Sequence, residues 1–202
     1  MNNEGKKRIT DAAREIISEQ GIQGATIRGI AEGAGLSTGA IYHYYNSKEA
    51  ILYDIMDEGL NVTKRVAQIS IEGKRHLNEI INEIYESMQE RFQITPENRL
   101  QFYLAHEAMV GNEELQNKFK ERYNDWVNRL ENIFIHMYDA QPGPSTRAAA
   151  AWIIAGVDGI VLQLLLKTNT VDKADVMKVA EYLLKEGMPN FFLFSNKSIK
   201  SE

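Results

Sequence analysis

Thr26-Ile27-Arg28-Gly29-Ile30-Ala31-Glu32-Gly33-Ala34-Gly35-Leu36-Ser37-Thr38-Gly39-Ala40-Ile41-Tyr42-His43-Tyr44-Tyr45-Asn46-Ser47-Lys48 decides the fold class of this chain. It reads as two short helices joined by a tight turn. The first runs from Thr26 to Glu32 and places Ile27, Ile30 and Ala31 on one apolar face. Gly35 supplies the left-handed backbone that a sharp turn needs, because it has no Cβ to clash. Ser37 caps the second helix, which carries Thr38, Gly39, Ala40, Ile41, Tyr42 and His43. That helix is poor in acids and rich in small polar and aromatic residues, which suits it to the major groove of DNA. The pattern is a helix-turn-helix.

With the helix before it and Ser47-Lys48-Glu49-Ala50-Ile51-Leu52 after it, this segment resembles the DNA-binding domain of the TetR family of transcriptional repressors. The resemblance covers about the first 52 residues. It is carried by Ile30-Ala31, Gly35, Gly39, Tyr42-His43-Tyr44 and Ser47-Lys48-Glu49. Two positions depart from the family pattern: Tyr45, where Phe is usual, and Gly33, where Ala is usual. Beyond this segment the chain is similar to the family in length and helical layout.

Composition sets the bounds. A chain of 202 residues, 44% hydrophobic and 25% charged, can bury a sizeable core as one large or two small domains. It has no cysteine, so disulfides and thiol chemistry are excluded and a reducing cytoplasm is the expected compartment. Residues 1–8 lack the apolar core of a secretory signal. The best membrane candidate, Ala148 to Leu166, carries Asp158 at its middle, and its alanines and glycines favour close helix packing over lipid. No membrane association is expected. Net charge is −5, yet residues 1–50 hold six basic and six acidic side chains. Affinity for DNA must then come from local placement of positive charge.

Helical periodicity runs throughout, with no strand pattern. Helix one is expected from about Lys6 to Gln20. The core it shares with the helix-turn-helix is small: Ile9, Ala13, Ile16, Ile17, Ile27, Ile30, Leu36, Ile41 and Tyr45. Such a core is marginal alone and should lean on the helices C-terminal to it. A long helix from Lys48 to Ile69, roughly 33 Å at ~1.5 Å per residue, is expected to join the two domains. Further helices are expected at His76–Phe92, Asn98–Val110, Glu113–Tyr138, Thr146–Leu166 and Asp172–Glu186, and the tail from Ser195 to Glu202 is expected to fray. The fold class is all-α, with about nine helices. A DNA-binding domain is expected at 1–48 and a helical effector-binding and dimerisation domain at 49–202.

A helix-turn-helix reads bases while its neighbours hold phosphates. Thr38 and Gly39 lie on the first turn of the reader, with Tyr42 and His43 one turn on and Ser37 at its cap. Lys48 adds a charge and free amides at a helix start, Thr26 does the same for the first helix, and Arg28 can reach guanine or a phosphate. Tyr44 joins the candidate contacts, and Tyr45 is read as core. The basic run Lys6-Lys7-Arg8 is either a solvated terminus or a tail that reaches DNA. The resemblance implies DNA contacts at these same reader positions.

One three-helix reader buries too little DNA for useful specificity, so a two-fold dimer on a near-palindromic operator is expected. Helices 146–166 and 172–186 are the natural interface. Ala148, Ala151, Ala155, Gly156 and Gly159 permit close backbone approach, and the last helix is apolar on two sides. The resemblance implies an intermolecular four-helix bundle there. Candidate effector-binding residues are Met56, Leu60, Ile84, Met88, Phe92, Phe102, Tyr103, His106, Met109, Trp126, Phe134 and Trp152, most of them serving also as ordinary core. His106, alone in an apolar helix, is read first as a core histidine. An apolar or amphipathic small molecule fits this lining.

An enzyme is not expected. None of His43, His76, His106 and His136 has Glu three residues before it, as a di-iron bundle would require. No metal site, cofactor motif or phosphate loop is present in the sequence. The remaining rival is a helical interaction protein whose reader is not ligand-controlled. The reading is a ligand-responsive transcriptional repressor. Effector binding would tilt the helix from Lys48 and move the two readers out of register.

Overall fold

The computed structural model describes residues 3–60 and 77–199, and side chains within 4–60 and 78–195. Among the described residues every regular element is a helix. In chain order they are α1 (Asn3–Gly24), α2 (Ile27–Gly33), α3 (Thr38–Tyr42), α4 (Lys48–Gly59) and α5 (Leu77–Arg91). Beyond these lie α6 (Pro96–Met109), α7 (Glu113–Tyr138), α8 (Pro144–Leu166), α9 (Lys173–Tyr182), a π turn (Leu183–Gly187) and α10 (Met188–Ile199).

Capping explains the starts. Thr26, Ser37, Ser47 and Thr95 each accept a hydrogen bond from the amide three residues on, satisfying a donor the helix leaves open. Asn112 does the same for Leu115 at 3.1 Å, and Asp172 accepts from Ala174, two residues on, at 2.7 Å. Pro96 and Pro144 sit in first turns, where a missing N–H costs nothing. Gly35 has φ 63° and Gly111 φ 117°, turn conformations that suit a glycine backbone.

The helices sort into two compact units. The first holds the described residues up to Leu60 together with Thr95–Phe119. Its core is Ile9, Ala13, Ile30 and Ile41, all fully buried, closed by Ile51, Leu52 and Met56 of α4 and Leu100 and Leu104 of α6. Ile16, Ile27 and Leu36 are half-buried at its edge. The compact unit therefore does not end at residue 48. A three-helix core is too small, and α4 and α6 complete it. Arg14 of α1 ties them together, 2.8 Å from Glu97 and 3.1 Å from Glu58. Gly59 is needed here because any side chain would strike that of Glu97.

The second unit holds α5, α7 from Lys120 onward, α8, α9, the π turn and α10. One core cluster is Phe134, Ala149, Ala150, Met188 and Phe192. Phe192 packs 5.3 Å from Phe134 and lies stacked 6.0 Å from Tyr138. Asp158 of α8 sits 2.9 Å from the Arg91 guanidinium and accepts the Tyr123 hydroxyl at 2.5 Å. Burial pulls Arg91 below its usual pKa, and Asp158 acts against that pull. By length and mean hydropathy (2.0), α8 could cross a membrane. In this fold its central carboxylate instead anchors α5 and α7.

Several expectations need correcting. The helix that begins at Lys48 ends at Gly59, where Leu60 leaves helical geometry with φ −94° and ψ 15°. The expected continuation through Val66 to Ile69, like His76, lies outside the described residues. α1 extends past Gln20 to Gly24 across a break at Gly21 (φ 74°, ψ 177°). The last helix does not stop at Glu186 but passes through the π turn and on to Ile199. Pro189 gives the reason. It has no N–H to donate to an earlier carbonyl, so the helix widens for one turn before it. Met188 N–H reaches back to Leu183 O, and the Leu184 carbonyl, whose π-type donor would be Pro189, accepts the Tyr138 hydroxyl at 2.6 Å.

Candidate nucleic-acid interface and effector cleft

The reader is built from the turn outward. Ile41 faces inward and is fully buried, which fixes the roll of α3. The opposite face is then exposed: Ser37, Thr38, Gly39, Tyr42 and His43 all lie in solvent. Tyr42 is 56% exposed, which is unusual for a large aromatic in a well-packed unit. Thr26 and Arg28 at the start of α2 are exposed too. Among the described residues, a Cβ added at Gly39 would touch only Ser37 Oγ, at 3.8 Å, so a glycine here leaves the outer face of α3 open to close approach.

The sequence-predicted contacts are not equally free. Arg28 is held by Glu32 at 2.9 Å, an exposed i,i+4 pair that a phosphate or guanine can displace at little cost. Thr26 and Ser37 spend one lone pair on their caps, at 3.1 Å each. Lys48 is half-buried, with its ammonium 5.9 Å above the Tyr103 ring. Tyr44 is half-buried and packs so tightly on Gly5 that any side chain there would collide with its ring. Of the basic run, Lys6 is committed to Asp54 (3.6 Å) and the Tyr45 face (4.9 Å), and Arg8 bonds the carbonyls of Ala34 and Gly35.

Both departures from the family pattern have structural reasons. Tyr45 is buried and donates to Asp54 at 2.9 Å. Burial, then the Asp54 charge, pushes its phenol above the ordinary range. At Gly33 a Cβ would meet Ala12 Cβ at 3.2 Å, so glycine lets α1 and α2 approach closely.

The effector candidates divide. Ile84, Met88, Phe92, Phe134 and Trp152 come together around an apolar cleft of about 410 Å³ in the second unit. Leu130, Ile153, Val157, Ile160, Val176, Val179 and Leu183 also line it, and Asp175 is its only charged residue among the described residues. The size is within the range of small-molecule sites. Met56, Leu60, Phe102, Tyr103, His106 and Met109 belong to the first unit, and none lines this cleft. Met56 and Leu60 are buried core there, whereas Met109 is 76% exposed. His106 is no core histidine: its side chain is 65% exposed, 3.7 Å from Glu107. α6 meets its unit through Leu100, Leu104 and Ala108, which turns position 106 outward. Trp126 is buried beside Tyr123 (5.1 Å) and under the Arg122 guanidinium (4.6 Å), away from the cleft lining.

Of the cleft residues on α8 and α9, sequence reasoning names Trp152 and misses the others, because it divides the apolar sides of the last helix between its own chain and a partner. The available signal was the second apolar side of α9, carrying Val176, Val179 and Leu183.

Two family models match this chain. Residues 9–55 match that of the bacterial regulatory proteins of the tetR family, and residues 76–188 match the BetI-type transcriptional repressor C-terminal model. The second match alone spans more than half the chain. The chain belongs to the TetR family. It is a helix-turn-helix transcriptional regulator.

Among its relatives, the transcriptional regulator BetI 1 of Chromohalobacter salexigens is 28% identical over 173 residues, covering 83% of this chain and 82% of that one. Two solved structures share the fold. The fatty acid degradation regulator FadR of Bacillus halodurans matches with TM-score 0.61 and 22% identity, covering 93% of this chain and 97% of its own. A transcriptional regulator of Saccharomonospora viridis in complex with choline matches with TM-score 0.69 and 15% identity, covering 92% and 97%.

Proposed function

We propose that this TetR-family regulator is a homodimeric, cytoplasmic repressor that binds a near-palindromic operator and is released by a small apolar or amphipathic effector. The observation that carries the reading is the exposed face of α3. Thr38, Gly39, Tyr42 and His43 project from a helix whose roll is locked by buried Ile41. In this reading Thr38, Gly39, Tyr42 and His43 meet base edges or nearby phosphates, and Thr26, Arg28, Ser37, Tyr44 and Lys48 hold the flanking backbone.

The dimer forms through α8 and α9. Ala148, Ala151 and Ala155 lie exposed along α8, and Leu166 (62%) and Tyr182 (63%) are more exposed than a lone chain readily tolerates. Among the described residues, nothing lies within 4 Å of where side chains at Gly156 or Gly159 would point. The effector occupies the cleft lined by Ile84, Met88, Phe92, Phe134 and Trp152. To release DNA it must bind the DNA-incompetent conformation more tightly, since equal affinity shifts nothing.

Selection of bound fragments from genomic DNA by the purified protein tests this. An enriched inverted repeat supports the reading, and enrichment of no common sequence counts against it.

A further inference from the structure

We infer that Arg8 is a positioning residue of the DNA reader: it clamps the turn between α2 and α3 and so sets the angle of α3, without itself contacting DNA. This role rests on the reading that α3 meets DNA.

The turn's backbone shows why a clamp is needed. Past the end of α2, Ala34 N–H returns to Ile30 O (2.9 Å), Gly35 N–H to Glu32 O (3.1 Å) and Leu36 N–H to Ala31 O (2.9 Å). This is a Schellman-type close around left-handed Gly35, and it uses the carbonyls of the last helical turn. The carbonyls of Ala34 and Gly35 come next, as the chain swings toward the Ser37 cap. Arg8 Nη2 donates to both, at 3.3 Å to Gly35. Ala34 is only 5% exposed, so water is a poor substitute at that carbonyl.

Charge points the same way. α2 has no basic residue in its last turn. Arg8 supplies from α1 the cation that the negative end of the α2 dipole lacks. Its stem leaves a rigid base, since Ile9 is fully buried and Thr10 is nearly so, its hydroxyl bonded to Lys7 O at 3.0 Å. The guanidinium fills the space beside Gly35, lying 3.0 Å from where a Cβ would stand. Arg8 is exposed, and its Nη2 is spent on the two carbonyls of the turn.

A phosphate contact and a positioning clamp differ in salt dependence. The full-length protein and its Arg8→Ala and Arg8→Gln variants are titrated onto the selected operator and onto a non-operator duplex at several salt concentrations. Arg8→Ala is expected to weaken operator binding about tenfold, with non-operator affinity and the slope of log K against log[salt] unchanged. Arg8→Gln keeps a donor without the charge, so it is expected to recover part of the operator affinity at the same slope. A slope lower by about one in both variants, with equal losses on both duplexes, would overturn the proposal and make Arg8 a phosphate contact. Unchanged operator affinity in Arg8→Ala would overturn it as well. Should the wild-type protein prefer no sequence at all, the reading of α3 fails first and the clamp with it.

Discussion

The two units of this regulator place their informative residues on opposite sides of the surface. In the first, the residues that bear on function stand in solvent on α2 and α3, and the core exists to aim them. In the second, apart from the proposed dimer face, they are buried or line a cleft: Asp158 with Arg91 and Tyr123, Tyr138 with Leu184, and the aromatic wall around Phe134. A DNA reader must present a fixed polar face, so its variants should lose binding and keep stability. An effector unit must hold a shaped interior, so its variants should lose stability first.

The largest expected effect lies in the second unit. Asp158→Ala removes the carboxylate 2.9 Å from a guanidinium whose side chain is only 13% exposed. It should cost about 3–5 kcal/mol, read as a lowered denaturant midpoint. Tyr138→Phe comes next, because it deprives the Leu184 carbonyl of its donor beside Pro189. A loss of about 1–3 kcal/mol is expected by the same measurement. Burial raises the Tyr138 phenol above its ordinary pKa, so its contribution is intact below about pH 10 and falls as pH rises beyond that. Alkaline unfolding should therefore begin later in the Tyr138→Phe protein relative to its own neutral stability.

The first unit should respond differently. Tyr42→Ala should leave the midpoint unchanged within about 0.5 kcal/mol, as a surface change does, and weaken operator binding by about 1–3 kcal/mol. Lys48→Ala should lower the salt slope by about one with a small loss on any duplex. If Tyr42→Ala unfolded the protein and bound DNA normally once refolded, the contrast between the units would collapse.

That contrast also explains what could be read from sequence. The helix-turn-helix is specified locally: Thr26, Ser37 and Ser47 cap within three residues, and glycine is the residue type best suited to the φ at position 35. These features were legible, as were the bounds of α7 and the restart at Thr95-Pro96. What was missed depends on distant partners. Arg8 meets a turn 26 residues away, and Tyr138 meets Leu184 across 46. Residue type alone cannot tell Phe134, which lines the cleft, from Tyr103, which belongs to the first unit. His106 fell on the outer side of α6 because Leu100, Leu104 and Ala108 set its inner side. The extension of the last helix through Pro189 was hidden because a proline usually ends a helix, and here a π turn and a tyrosine hydroxyl accommodate it.

The most direct test of the account is a hydroxyl-radical footprint of the full-length protein on its selected operator. The account predicts two protected patches on one face of the duplex, related by two-fold symmetry and centred about one helical turn or a multiple of it apart. Both should vanish together in Tyr42→Ala. A single patch, or protection that survives loss of Tyr42, would contradict a dimeric reader working through α3.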